Sequence, residues 1–197
     1  MIIKTFKKFI PESIKNFLRR IYYFLTWDPW INLSYSQEGE DLVLKRIFEN
    51  KIGFYVDVGA HHPKRFSNTY LFYKKGWKGI NIDALPGSMR LFEKIRPRDI
   101  NIEMGVAKVE GELDYYVFNE PALNTFSEKL SKDIDNLNNE YYLKKVIKVK
   151  VNRLEKILDI HLHDNKIDFL NIDVEGLDYD VLESNNWNKY RPRFVLV

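Results

Sequence analysis

Five short apolar runs, set far apart with helical segments between them, constrain the fold of this chain more than any other feature. The runs are rich in β-branched and aromatic residues, which is typical of strands, and they cover residues 53–58, 79–83, 100–104, 167–173 and 194–197. Alternation of apolar strands with helices predicts a mostly parallel sheet covered on both faces. The predicted fold class is therefore α/β, with a doubly wound sheet.

Helical segments are predicted between these strands, one after a Ser67 cap and another with Pro86 in its first turn. They cover residues 40–49, 68–75, 86–95, 128–143, 154–161 and 177–184. Two further segments, 112–118 and 146–151, alternate like half-exposed strands and predict an antiparallel edge or a lid. The sequence stops inside the predicted fifth strand, so we expect a sheet that is truncated after that strand.

Residues 1–33 form a predicted unit of their own, a basic leader before a main domain at 34–197. Within residues 1–30 there are six Lys or Arg side chains and two carboxylates, with apolar residues at roughly helical spacing, which predicts an amphipathic helix. Its apolar end is shorter than the roughly 20 residues that span a bilayer. Two interpretations stay open: peripheral binding to a membrane surface, or packing on its own domain or a second subunit.

Composition narrows the functional classes. The chain has no cysteine, which excludes a disulfide framework, a thiolate metal site and a cysteine nucleophile. That composition fits a cytoplasmic protein, on the inner face of the membrane if the leader binds there. The excess of basic residues lies in the leader and not in the main domain, so we expect no nucleic-acid partner.

Acidic residues stand where the first four predicted strands end, at Asp57, Asp83, Glu103 and Asp173. In a doubly wound sheet, ligands bind at the carboxyl ends of the strands, where the order of connection reverses. Asp57 interrupts an apolar strand, and a buried carboxylate costs several kcal/mol unless it is paired or close to the strand end. The strand ends are therefore the predicted ligand site. The structural alternatives for these residues are a strand-to-turn junction without a ligand and helix capping by Asp83 or Asp173.

The loop after the first strand indicates which ligand fits. A pyrophosphate is usually bound by G-x-G-x-x-G at a helix start, whereas this loop has the single Gly59, then Ala60 and two histidines before Pro63. Asp83 follows Gly59 by 24 residues, the position of an acid that accepts hydrogen bonds from ribose hydroxyls. The pattern favours a nucleoside without pyrophosphate, such as S-adenosylmethionine, over NAD and its oxidoreductases.

Five segments in this order, with a dipeptide before the fifth strand, resemble the FkbM-type methyltransferases. They are Tyr35-Ser-Gln-Glu-Gly-Glu-Asp41, Tyr55-Val-Asp-Val-Gly-Ala-His-His-Pro63, Ser67-Asn-Thr-Tyr70, Gly76-Trp-Lys-Gly-Ile-Asn-Ile-Asp83, Asn171-Ile-Asp-Val-Glu-Gly176 and Arg191-Pro192. The resemblance spans roughly residues 34–197. It implies a Rossmann-like class I methyltransferase fold, S-adenosylmethionine as methyl donor, and O-methylation of a sugar or secondary-metabolite hydroxyl.

The resemblance also implies roles for individual residues. Asp57, Gly59 and Asp83 are expected to line the cofactor, and Asp173 to lie near its amine. The remaining expected cofactor residues lie at its methionine end or adjoin the same strand ends, and they are Ser36, Gln37, Asn68, Ala60, Ala84 and Glu103.

Methyl transfer to a hydroxyl also needs a group that removes the proton. The candidates at the strand ends are His61, His62, Asp173 and Glu175, and a histidine accepts a proton near neutral pH. As alternatives, the histidines bond to loop backbone, and Glu175 orients the acceptor. No metal is predicted, although Asp173, Glu175 and His62 would suit one.

The acceptor is the least constrained part of the prediction. Aromatic side chains such as Tyr115 and Phe126 can stack on a sugar, although packing is the more common role at such spacings. The leader suggests a lipid-linked or membrane-assembled glycan. A non-catalytic relative that uses the fold for interaction is a further alternative.

If the leader binds membranes, the full chain floats with anionic vesicles in a density gradient and a chain that lacks residues 1–30 does not. The basic and apolar faces of the leader supply the attraction. Equal flotation of the two proteins would contradict membrane binding by this segment.

Overall fold

The computed structural model describes residues 11, 13–15, 17, 31–49, 51–137 and 140–197. The chain divides into two compact units, Met1–Leu33 and Ser34–Val197. The predicted leader helix therefore lies almost wholly outside the described residues. None of the helices within the described ranges is long and apolar enough to cross a membrane.

Two sheets form the second unit, and their strands are numbered together in chain order. They are β1 (Phe54–Val58), β2 (Lys78–Asp83), β3 (Ile100–Glu103), β4 (Gly105–Val106), β5 (Gly111–Phe118), β6 (Leu143–Asn152), β7 (Phe169–Ile172) and β8 (Phe194–Leu196). The larger sheet has the order β3-β2-β1-β7-β8, and every neighbouring pair in it is parallel. The prediction of an α/β fold with a mostly parallel sheet is confirmed. The connection order reverses between β1 and β7, where a ligand is expected.

Helices connect these strands at the predicted places, with one difference. They are α1 (Glu40–Phe48), α2 (Tyr70–Lys74), α3 (Met89–Ile95), α4 (Glu128–Asn136), α5 (Leu154–His161) and α6 (Asp178–Glu183). The Ser127 hydroxyl caps α4 by accepting from the Leu130 amide. The predicted helix 128–143 is wrong in its second half, because α4 ends at Asn136 and Leu143 begins β6. Leu143 instead pairs with Phe118 of β5.

One face of the larger sheet is apolar. Its side chains pack on α5 and α6, and the shared core includes Val56, Val58, Ile80, Ile82, Leu170, Ile172, Leu154, Ile157, Leu158 and Val181. Because successive residues of a strand point to opposite faces, the intervening residues face the other side. Near the amino ends of the strands, that other side is an aromatic cluster of Phe48, Tyr55, Phe72, Trp77 and Phe169.

Beyond the aromatic cluster, the same face of the sheet turns polar. Asn101, Asn81, Asp57 and Asn171 stand beside one another on β3, β2, β1 and β7. The Asn81 amide donates to Asn101 Oδ1 at 2.8 Å, and the Asn171 amide donates to Asp57 Oδ1 at 2.8 Å. We call these four residues the polar row. It lies between the aromatic cluster and the carboxyl ends of the strands.

The two alternating segments form a separate three-stranded sheet of order β4-β6-β5. The β5–β6 pair is antiparallel, as predicted, while β4 runs parallel to β6. Of the two predicted alternatives, an antiparallel edge on the main sheet is wrong, and a lid stays a prediction. The chain leaves the main sheet after Met104, whose amide donates to the Asp83 carbonyl, and Gly105 pairs with Val151 of β6 instead.

Candidate active site

A pocket lies at the carboxyl ends of β1, β2 and β7, where the connection order reverses. The loops that follow these strands form one side, and the segment 121–126 with β4 and β5 forms the other. The lining residues are Gln37, Asp57, Val58, Gly59, Ala60, His61, Phe66, Ser67, Asn68, Ile82, Asp83, Ala84, Met104, Gly105, Val106, Tyr115, Pro121, Ala122, Asn124, Phe126, Asn171, Asp173, Val174 and Glu175.

Asp57 lies at the base of this pocket and is only 2 % exposed. Its Oδ2 accepts from the Thr69 hydroxyl at 2.6 Å, and its Oδ1 accepts from the Asn171 amide at 2.8 Å. Burial raises the pKa of Asp57, while the Arg96 charge and these two hydrogen bonds oppose the rise. The carboxylate is thus paired on both oxygens, as a buried acid requires.

The backbone amides of the loop after β1 are already hydrogen-bonded within the protein. The amides of Gly59 and Ala60 both donate to the Ile82 carbonyl, at 2.9 and 3.0 Å, and the His61 amide donates to Asp83 Oδ2 at 2.9 Å. A pyrophosphate needs such amides as donors. Within the described ranges, no Lys or Arg lines the pocket either. The loop does not form a phosphate cradle.

Asp83 joins the ends of β1 and β2. Its Oδ1 accepts from the Leu85 amide and its Oδ2 from the His61 amide, both at 2.9 Å. Burial raises the pKa of this carboxyl, and the two amides counteract the rise. A carboxylate offers about four lone pairs, so Asp83 retains acceptor positions on the pocket side. It can accept hydrogen bonds from a vicinal diol such as that of a ribose.

Two buried polar atoms of the pocket have no partner, Asn68 Oδ1 and His61 Nε2. The Asn68 amide nitrogen donates to Asn171 Oδ1 at 2.9 Å, which directs its own oxygen away from the polar row. Burial and the Arg65 charge lower the pKa of His61, so its ring is neutral near pH 7. An unpartnered buried acceptor is costly, and the Asn68 oxygen is suited to a ligand donor.

Asp173 and Glu175 stand on the loop that follows β7. Burial raises the pKa of both carboxyls; the charge of Asp178 adds to the rise at Asp173, and that of Asp173 to the rise at Glu175. The Thr125 hydroxyl donates to the Glu175 carbonyl at 2.6 Å and ties this loop to the opposite wall. The pocket therefore concentrates negative charge at the end of β7.

Strained backbone is frequent around the pocket. Among the non-glycine residues described, five have positive φ, and His61, Phe66 and Glu175, with φ of 50°, 55° and 52°, line the pocket. Such conformations cost of order 1–3 kcal/mol and concentrate at functional sites. Three of the five thus lie on the two loops that follow β1 and β7, while Glu49 and His163 lie outside the pocket.

Most of the predicted site residues meet in the pocket. Those that line it are Gln37, Asp57, Gly59, Ala60, His61, Asn68, Asp83, Ala84, Asp173 and Glu175. Ser36, His62 and Glu103 do not. The Ser36 hydroxyl donates to Asp41, His62 Nδ1 accepts from the Lys64 and Arg65 amides, and Glu103 accepts from the Gly87 amide.

The possible metal set of Asp173, Glu175 and His62 is not assembled, because His62 lies outside the pocket lining. Its Nδ1 holds the turn that follows it, as the backbone-bonding alternative for a loop histidine expects. No cluster of three or more His, Asp or Glu residues with the spacing of a metal site occurs in the described part of the chain.

Sequence reasoning missed two groups of lining residues. Asn171 lies at the end of a predicted strand, and its place beside Asp57 in a parallel sheet is the signal that could have identified it as a lining residue. Asn124, Ala122 and Gly105 come from the second sheet and its connection, whose position over the strand ends no local pattern indicates.

This architecture defines a class of α/β proteins with an acidic ligand pocket at the switch point of a parallel sheet and no phosphate cradle. A family model described as the Methyltransferase FkbM domain matches residues 57–197, well over half of the chain. The chain belongs to the FkbM methyltransferase family, which confirms the resemblance. Comparison with curated proteins and with solved structures finds no match.

Gly59 provides a test of the close approach between β1 and β7. A Cβ at Gly59, where φ is +82°, would lie 1.8 Å from the Asp173 carbonyl oxygen, whereas Gly87, with φ of +87°, has no atom within 4 Å of its Cβ position. We expect Gly87→Ala to cost about 1–2 kcal/mol of unfolding free energy through strain alone, and Gly59→Ala to cost clearly more. Urea unfolding measures both; equal costs would contradict the close approach.

Proposed function

We propose that this protein is an S-adenosylmethionine-dependent methyltransferase that methylates a hydroxyl group of a sugar or glycan. The observation that carries the proposal is the set of acceptors in the pocket: Asp57, Asp83, Asp173 and the unpartnered oxygen of Asn68. S-adenosylmethionine presents an ammonium and ribose hydroxyls, which donate hydrogen bonds to acceptors, and a sulfonium, whose positive charge is stabilised by nearby carboxylates. A dinucleotide presents a pyrophosphate, which needs the donors that this loop lacks.

The residues present fit this cofactor, which supplies an activated methyl group when bound. Asp83 accepts the ribose hydroxyls, because its two backbone partners leave lone pairs free. Asn68 Oδ1 and Asp173 accept from the ammonium group, and Gln37 closes the same end of the pocket. Gly59 and Ala60 leave room for the ligand over the end of β1.

We assign the role of general base to Glu175. Its carboxyl lines the pocket on a strained residue that Thr125 anchors to the acceptor side. Burial and the Asp173 charge raise its pKa, which makes it a stronger base than an exposed glutamate. In the reaction, Glu175 would take the proton of the acceptor hydroxyl as that oxygen bonds to the methyl group. The bound cofactor would supply the methyl group from its sulfonium and keep the electrons of the broken carbon–sulfur bond as a thioether.

His61 remains the competing base. Its neutral ring has an unpartnered Nε2 in the pocket. Its backbone amide, however, is bound to Asp83, which favours the ribose end of the pocket over the methyl group. His61 and Phe66, whose rings stack at 6.3 Å, are suited to hold the nucleoside.

The acceptor side supports a neutral, hydroxylated substrate. Phe126 and Tyr115 offer aromatic faces, Asn124 offers an amide, and no Lys or Arg among the described residues lines this side for an anion. Aromatic faces beside hydrogen-bonding groups suit the apolar and polar edges of a sugar ring. A lipid-linked glycan would join this pocket to a membrane-binding leader.

Calorimetry with S-adenosylhomocysteine and with NAD tests the cofactor. We expect micromolar binding of S-adenosylhomocysteine, at least tenfold weaker in Asp83→Ala, where the ribose acceptor is lost, and no binding of NAD. Asp114→Ala, an exposed acid on β5, is the matched control and should bind normally. Binding of NAD alone would overturn the proposal, and binding without methyl transfer would favour a non-catalytic relative.

The base assignment predicts how two variants differ in transfer of labelled methyl groups to a panel of sugars and lipid-linked glycans. We expect Glu175→Gln to lower kcat by about 10²–10⁴ with S-adenosylhomocysteine affinity within threefold, and His61→Gln to weaken that affinity instead. In the native enzyme, a base with a raised pKa makes the rate fall on acidification at a higher pH than an ordinary glutamate does. The reverse pattern of the two variants would make His61 the base.

A further inference from the structure

A fully buried arginine lies behind the pocket, outside its lining. Arg96 follows α3 and is 0 % exposed. Its Nε donates to Asp99 Oδ2 at 2.8 Å, and its Nη2 donates to the Tyr55 hydroxyl at 2.8 Å and to Thr69 Oγ1 at 2.9 Å. Removing a guanidinium from water costs several kcal/mol unless its partners compensate. Its placement therefore calls for a reason beyond packing.

Asp99 neutralises Arg96 and is itself saturated. Besides the Arg96 Nε, it accepts from the Tyr55 hydroxyl, the Gly79 amide and the Asn81 amide, at 2.7 to 3.1 Å. Asp57 is the second carboxylate that the Arg96 charge stabilises. One cation thus serves two buried acids, and only Asp57 also lines the pocket.

Thr69 connects Arg96 to Asp57. Its hydroxyl accepts from Arg96 Nη2 and so directs its own proton to Asp57 Oδ2 at 2.6 Å. Thr69 is itself fully buried, so water does not screen the relay. Such a chain strengthens each hydrogen bond and favours the charged form of the terminal acceptor.

We propose that Arg96 is a positioning residue for the cofactor: acting through Thr69, it holds the Asp57 carboxylate ionised and oriented at the base of the pocket. This inference rests on the proposed function. Arg96 does not line the pocket, but through Asp57 it sets the pH range over which the cofactor binds. Below that range, a protonated Asp57 no longer offers its charge to the ammonium group that S-adenosylmethionine and S-adenosylhomocysteine share.

The charged groups around Asp57 come from three segments of the chain. Arg96 and Asp99 act from the segment between α3 and β3, Asp83 from β2, and Asp173 from the loop after β7. Only Arg96 is a cation in this set. Asp83 and Asp173 also titrate, but neither has a hydrogen bond to Arg96, so a shift on changing Arg96 reports on Asp57.

The test is S-adenosylhomocysteine binding between pH 5 and 8.5. Arg96→Met combined with Asp99→Asn removes the buried ion pair as a whole, and Asp57 keeps its hydrogen bonds from Thr69 and Asn171. We expect the acidic midpoint of binding to rise, because the Arg96 charge lowers the pKa of Asp57 more than the Asp99 charge raises it. Arg96→Lys keeps the charge and should return the midpoint to within half a unit of the native value.

A second pair of variants covers the case in which the double variant does not fold. Thr69→Val removes the relay hydroxyl with little change in shape, and Thr69→Ser retains it. We expect the midpoint to rise in Thr69→Val and not in Thr69→Ser. Tyr55→Phe removes another hydroxyl that accepts from Arg96 and that donates to Asp99 rather than to Asp57, and it should lower thermal stability while leaving the midpoint in place.

The outcomes separate the two proposals. Native protein that binds no S-adenosylhomocysteine at any pH overturns the proposed function. Native protein that binds it, with the same midpoint in Thr69→Val or in the charge-free double variant, overturns the role of Arg96 alone. A shift in Tyr55→Phe equal to that in Thr69→Val would make the network structural only.

Discussion

A carboxylate buried in the middle of a parallel sheet, Asp57, is the constraint on which the rest of the site depends. Its two oxygens are satisfied by Thr69 and Asn171, which belong to different segments of the chain. The loop 61–69 must therefore fold back over the sheet, and β7 must pair with β1 in the register that brings Asn171 beside it. A shift of one residue would present Leu170 or Ile172 and leave the acid unpaired.

Features of the site that depend on local sequence patterns could be predicted, whereas features that depend on contacts between distant segments could not. The strands, and the acids at their ends, follow from local patterns, which is why Asp57, Asp83 and Asp173 were expected in one pocket. The partners of Asp57 depend on register and on a long loop, so Asn171 and Arg96 were not assigned. The predicted helix 128–143 is wrong in its second half because β6 begins at Leu143, before the alternating pattern at 146–151, and pairs with β5, a distant segment.

The same reasoning explains why one glycine serves where dinucleotide sites use three. Gly59 and Ala60 donate to the Ile82 carbonyl, so this turn is closed by β2 and not by a ligand. Asp83 then fixes the next amide, that of His61. Because the amides of this loop are already hydrogen-bonded, the loop has no donors for an anion. The carboxylates of the pocket are acceptors, so they favour a ligand that donates hydrogen bonds.

Four carboxyls with raised pKa values in one pocket, Asp57, Asp83, Asp173 and Glu175, repel one another. A ligand with net positive charge stabilises their ionised forms, so its binding and the release of protons are linked. In the proposed reaction, Glu175 would gain a proton as the sulfonium charge of a bound cofactor is lost. The total charge of the pocket and its ligand is then the same before and after methyl transfer. The other carboxylates therefore need no additional solvation. The acceptor needs no charge of its own, in keeping with a neutral hydroxyl.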